Sequence, residues 1–202
     1  MAKAVEELGH EPDVSLMKKV RDGNQAAFET LYRRYNRRLL DFFYGMTRNA
    51  QTAEDLSHET FARIWQVRRK YQATGSFPAY LFTFGRNIWL ENCRHLRKQQ
   101  RLGFKQTLED TAHELRADIS SQPDWGAARS ELSERIGQAL GTLPEEQRMA
   151  FVMRNIEGLS LSDIATVMQC PENTVRSRKI LAVRKLRALL RPIFISCGVA
   201  RA

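Results

Sequence analysis

The sequence predicts an all-α protein made of two small helical domains joined by a flexible linker. Apolar residues recur at steps of three and four over long stretches, and nowhere does the chain alternate with the period of two that marks a strand. The helical periodicity fades only from about residue 103, in an acidic segment, and then returns.

In the first domain, Phe28, Leu31, Tyr32, Tyr35, Leu39, Phe42, Phe43 and Met46 lie on one helical face, and Asn24 is placed to cap the helix start. A second helix is expected from about Ala53 to Arg69, with Leu56, Phe61, Ile64 and Trp65 on its apolar side. The stretch YQATGS reads as a loop. Ser76 then caps a third long helix, with Leu81, Phe82, Ile88, Trp89 and Leu96 facing inward and the basic run RHLRKQQR at its end. Between Gly103 and Asp124 five acidic residues face Lys105 and Arg116, a net charge of −3, which reads as a linker. Helical pattern resumes in ELSERIGQAL. Thr142, Pro144 and Glu145 form a helix-start signature, Gly158 a stop, and Ser160 opens a short helix through Met168. The expected organisation is a tail at 1–14, a domain at 15–102, the linker at 103–128, a second domain at 129–191 and a C-terminal tail at 192–202.

The 202 residues carry 32 Lys and Arg against 23 Asp and Glu, a net charge of +9 that favours a polyanionic partner such as nucleic acid. No apolar run is long enough to cross a bilayer and the N-terminus has no signal-peptide pattern, so a cytoplasmic protein without membrane insertion is expected. Cys93, Cys170 and Cys197 are far apart and lack paired spacing, so they read as reduced thiols with no metal or disulfide role. His10, His58, His95 and His113 are scattered without partners at catalytic spacing, and no phosphate-binding glycine loop or nucleophile motif appears. The expectation is a non-enzyme without a cofactor.

The segment LSLSDIATVMQCPENTVRSRKILAVRKLR has helix-turn-helix spacing. Its short first helix turns Ile164, Ala165 and Met168 inward, a break follows at Gln169 to Pro171, and the next helix carries Val175, Ala182 and Leu186. Between Leu161 and Arg191 seven basic residues oppose two acidic ones, a net of +5 that sits on the second helix. A helix entering the major groove needs short and forked donors near its N-terminus and cations beyond them. Arg176, Ser177 and Arg178 meet the first need, and the bland alternative is a solvated charged face.

Three ordered motifs, AEDLSHETFARIW, GSFPAYLFTFGRNIWLENCRHLRK and LPEEQRMAFVMRNIEGLSLSDIATVMQCPENTVRSR, resemble the extracytoplasmic-function group of the sigma-70 family. The resemblance implies a factor that binds core RNA polymerase and directs promoter-specific transcription initiation. It assigns polymerase docking to Asp55, Leu56, Glu59, Phe61 and Trp65; for Phe61 and Trp65 a core role is equally open. It assigns reading and melting of the minus-ten element to Tyr80, Arg86, Asn87, Trp89, Asn92, Arg94 and Arg97, where aromatic and amide groups near cations can hold a separated strand by stacking and hydrogen bonding. Reading of the minus-thirty-five element falls to Thr174, Arg176, Ser177, Arg178 and Lys179. The acidic linker acquires an RNA-mimicking role by the same resemblance, with a plain tether as the alternative. An anti-sigma partner is implied as well as promoter DNA.

This chain departs from the family pattern at His58, where relatives often carry Gln, and at Gln169 and Asn173, where they often carry Gly. Gln169 is therefore expected in a left-handed conformation at some cost. Ile180 and Leu181 replace basic or His residues, which implies fewer phosphate contacts there. The competing class is a stand-alone helix-turn-helix regulator, which would bind a palindromic site by itself.

Overall fold

The computed structural model describes residues 8–103 and 135–196. Among these residues every regular element is helical. In chain order they are α1 (Asp13–Arg21), α2 (Gln25–Thr47), α3 (Ala50–Val67), α4 (Phe77–Gly103), α5 (135–141), α6 (Glu145–Phe151), α7 (Leu161–Met168) and α8 (Glu172–Ser196). Short 3-10 turns cover Leu8–His10 and Arg68–Lys70, and α6 widens into a π turn over Val152–Ile156. Residues 104–128 of the expected linker lie outside the described residues.

Local chemistry sets the helix starts. Asn24 Oδ1 accepts from the Ala27 amide at 2.9 Å, Asn49 Oδ1 from Thr52 at 2.8 Å, Ser76 Oγ from Ala79 at 3.2 Å and Ser160 Oγ from Asp163 at 3.0 Å, each satisfying an otherwise orphaned donor. Thr142 takes no such part; its hydroxyl donates back to the Ala139 carbonyl, and Pro144 precedes α6. Gly158 ends the π turn at φ 66°, a conformation that favours glycine.

The first bundle closes around α2. Leu31, Leu39, Phe42, Phe43 and Met46 are buried along it, and Phe42 meets Phe82 of α4 edge to face at 5.5 Å. Each such ring contributes about 1.5–3 kcal/mol of burial. The sequence reading did not anticipate α1, which supplies Leu16, Met17 and Val20, all fully buried. Nine residues holding three apolar positions around Lys18 and Lys19 give too short a run for a clear period. The boundary expected at residue 15 falls inside this helix. Residues 8–14, expected as tail, are tied down by Arg34: its guanidinium donates to the carbonyls of Gly9 at 2.7 Å and Glu11 at 2.8 Å and to Asp13 Oδ1 at 2.5 Å. At the other end α8 continues through Ser196, past the boundary expected at 192.

In the second bundle α6 and α8 pack together, α7 lies across both α8 and α4, and Ala182 and Leu186 of α8 close on Ala139, Leu140 and Leu143. The two bundles are not simply tethered. One continuous apolar cluster runs from Leu16 through Phe82 and Trp89 to Val152, Ile164 and Val175. Gly45 lets α2 approach the π turn so closely that a Cβ there would meet Val152 Cγ2 at 3.1 Å.

Candidate nucleic-acid and polymerase interfaces

The helix-turn-helix forms as its spacing predicts. Ile164 and Met168 are buried and Ala165 is half-buried; Val167, buried as well, completes the inner face of α7. Gln169 takes φ 53° and ψ 45°, the left-handed corner expected of it, and its amide closes α7 by donating to Thr166. Val175, Ala182 and Leu186 anchor α8, which leaves Glu172, Asn173, Arg176, Ser177 and Ile180 exposed at its start. Ser177 Oγ donates to the Asn173 carbonyl at 2.9 Å, as a helical serine commonly does, and keeps its acceptor lone pair outward.

Arg178 behaves differently from Arg176. It ion-pairs with Glu146 of α6 and sends Nη1 to Cys170 Sγ at 3.3 Å, so it braces the turn and only a quarter of its side chain reaches solvent. Thr174 and Lys179 are half-buried beside it. Five predicted readers therefore divide into an open pair, Arg176 and Ser177, and three more enclosed positions. The brace was not legible in the sequence, because Glu146 lies outside the motif.

The predicted readers on α4 also divide. Tyr80, Asn87 and Arg94 are spaced by seven and share one side of the helix. Asn87 and Arg94 are exposed there, while Tyr80 is half-buried against Tyr71 and Phe84, each at 5.0 Å. Burial raises the phenol pKa of Tyr80 and of Tyr71 and keeps both neutral. Arg86, Trp89 and Arg97 lie on the side that meets the second bundle. Trp89 is buried and donates its indole Nε1 to Glu145 Oε1 at 2.8 Å, and Arg97 reaches Glu145 Oε2 at 3.4 Å. Arg86 is half-buried; its charge favours the thiolate of Cys170, yet burial dominates and that thiol stays raised. Asn92 is half-buried apart from both groups. Leu96, expected inward, is 46% exposed because α4 has by then run past the bundle that would cover it.

On α3, Asp55 and Glu59 are exposed as expected, with Glu54 and His58 beside them. Leu56 and Phe61 are core. Trp65 is half-buried, its ring 5.0 Å from Phe28 and capped by the Arg68 guanidinium at 4.2 Å. Of the two open readings, Phe61 takes the core one outright. Glu59 is engaged by Arg63 at 2.8 Å, which also holds Glu91 of α4 at 2.7 Å; that partner raises the Arg63 pKa and lowers the carboxyl of Glu91. Cys93 is pushed up to about 11 by burial and by Glu145, so its thiol stays protonated.

Sequence reasoning missed the residues that join the bundles. Ser76 Oγ donates to Asp163 at 2.6 Å, and Arg38 Nη2 donates to the Glu157 carbonyl at 2.5 Å with Nε 3.3 Å from its carboxylate. No group of His, Cys, Asp and Glu among the described residues could hold a metal ion, and no described helix is long and apolar enough to cross a membrane.

Comparison with known proteins bears on both bundles. The model of Sigma-70 region 2 matches residues 31–102, and that of Sigma-70 region 4 matches residues 133–186. The RNA polymerase sigma-H factor of Pseudomonas aeruginosa is 32% identical over 191 residues, covering 92% of this chain and 97% of that one. The RNA polymerase sigma factor CarQ of Myxococcus xanthus is 32% identical, with 86% and 95% covered. Among solved structures, CnrH in complex with the cytosolic domain of CnrY aligns with a TM-score of 0.68 at 25% identity, covering 90% of this chain and 99% of that one. The sigma factor RpoE, solved with the anti-sigma factor NepR from Bartonella quintana, shares the fold with a TM-score of 0.66 at 22% identity, covering 81% of this chain and 96% of that one. The chain belongs to the sigma-70 family of RNA polymerase sigma factors, in its extracytoplasmic-function group, and directs transcription initiation from promoters.

Proposed function

We propose that the two bundles divide the promoter between them. The second reads the minus-thirty-five element through the start of α8, and the first reads and helps melt the minus-ten element through α4. The observation that carries this reading is the open start of α8, where Arg176 and Ser177 stand exposed just after the left-handed turn at Gln169. A forked guanidinium there suits a guanine edge, and the further cations Arg184, Lys185, Arg187 and Arg191, all exposed, suit phosphates. Asn87 and Arg94, with Tyr80 behind them, offer an amide, a cation and an aromatic ring to a separated strand. Melting needs no bond chemistry, only tighter binding of separated strands than of duplex, so the factor itself is no catalyst.

The outer face of α3, with Asp55, Glu59 and the half-buried Trp65, is the polymerase-docking surface in this reading, and Leu56 and Phe61 support it from beneath. The domains extend over 15–102 and 129–191, with α1 added to the first. A cytoplasmic protein held in check by an anti-sigma partner fits the same reading, because relatives of this fold were solved with such partners.

The test is transcription from the gene's own upstream region with purified chain and sigma-free core polymerase. Transcripts that need both components, and that disappear with Arg176→Ala, are expected. A chain that leaves start sites unchanged, yet alone protects a symmetric DNA site, would overturn the reading in favour of a stand-alone regulator.

A further inference from the structure

Four polar contacts tie the bundles together, and in three of them a carboxylate of the second bundle meets a donor of the first. Glu145 takes Trp89 Nε1 and Arg97, Asp163 takes the Ser76 hydroxyl, and Glu157 takes Arg38. The first two sit on α4 or at its cap, on the side that carries Arg86, Trp89 and Arg97. Carboxylates there occupy donors that would otherwise be offered to a nucleic-acid strand. The outer face of α3 is placed differently. Glu54, Asp55, His58, Glu59 and Ala62 are exposed, and α3 packs against α2 and α4.

We propose that the chain on its own is a self-masked form in which the second bundle covers half of the strand-reading helix while the docking helix stays open, so that polymerase is engaged first and the minus-ten strand is read only after the bundles part. This rests on the reading of α3 and α4 given above. The continuous apolar cluster makes parting unfavourable in water, since it exposes the side chains around Val152, Ile164 and Val167 that the first bundle now covers. The open form is accordingly the minor one until something binds it preferentially. A strand that binds only the open form has its affinity reduced by the fraction open, so a chain that is about 90% closed binds it about tenfold more weakly than a fully open one.

Glu145→Arg tests this, because it sets a cation against Trp89, Arg97 and the buried Arg148. Three readouts on the full-length chain are compared: small-angle scattering, amide exchange along α4, and affinity for the labelled non-template strand of its own upstream region. Wild type should scatter as one compact body. Glu145→Arg, folded by circular dichroism, should expand, exchange faster in α4 and bind the strand about tenfold more tightly, with its core polymerase affinity unchanged. Wild-type scattering from two independent bodies would overturn the proposal whether or not the variant folds, and so would a folded variant with unaltered exchange and strand affinity. Wild type that fails to bind core polymerase would defeat the sigma reading of α3 instead, and the scattering result would separate the two failures.

Discussion

Helices α4 and α8 are nearly equal in length, 27 and 25 residues, and both carry predicted DNA readers, yet they use their surfaces in opposite ways. α8 commits one narrow stripe, Val175, Ala182 and Leu186, to packing and leaves its first turns open. α4 is wedged between α3 and α7, and Phe77, Leu81, Phe82, Ile88 and Trp89 are all buried, so its readers share the helix with the core of the molecule. A substitution on α8 can therefore remove recognition alone. One on α4 tends to remove recognition and packing together.

The largest expected effect sharpens that contrast. Trp89→Ala should destabilise the chain by about 3–5 kcal/mol, since it empties a buried site and orphans Glu145, and denaturant unfolding would measure it. A loss below about 1 kcal/mol would mean that the indole is not packed as described.

Next comes the contact between the bundles. Glu157 is buried with its side chain 2% exposed, and desolvation raises its pKa to about 7 from the ordinary 4.5, with Asp41 adding to the rise and Arg38 opposing it. A raised carboxyl favours the folded, closed form while it holds its proton. That stability is full below about pH 4.5 and is lost as pH rises through about 7, a change of up to about 3 kcal/mol. Unfolding midpoints measured between pH 5 and 8 should fall for wild type relative to Glu157→Gln. Parallel curves for the two proteins would contradict the burial.

Arg176→Ala should cost about 1–3 kcal/mol in promoter binding by the polymerase complex and leave the unfolding midpoint unchanged. A loss of stability would show that Arg176 braces the turn as Arg178 does. The smallest effect is expected at Gln169, whose φ of 53° strains a side chain: Gln169→Gly should stabilise by about 0.5–1 kcal/mol in thermal unfolding, with DNA reading retained.

Much of this contrast could be read from the sequence, because it is local. Asn24, Ser76 and Ser160 cap the helices they were expected to cap, and Gln169 turns where relatives place glycine. The inward stripe of α8 follows from a period within a single helix. What could not be read depends on partners far along the chain. Glu145 lies 56 residues from Trp89, and Glu157 lies 119 from Arg38, so no window of sequence contains either pair. Arg178 looked like a reader for the same reason: its type and position fit, and the Glu146 that holds it sits on another helix. Helix α1 escaped because its period is too short to register, although Leu16, Met17 and Val20 are all fully buried.

The central claim, that each bundle reads a separate promoter element, is tested most directly by site-specific photo-crosslinking from the assembled polymerase on promoter DNA. A crosslinker at Asn87 should label the non-template strand near minus ten, and one at Ser177 should label duplex near minus thirty-five. Labelling of a single element from both positions, or none from Asn87, would contradict the account.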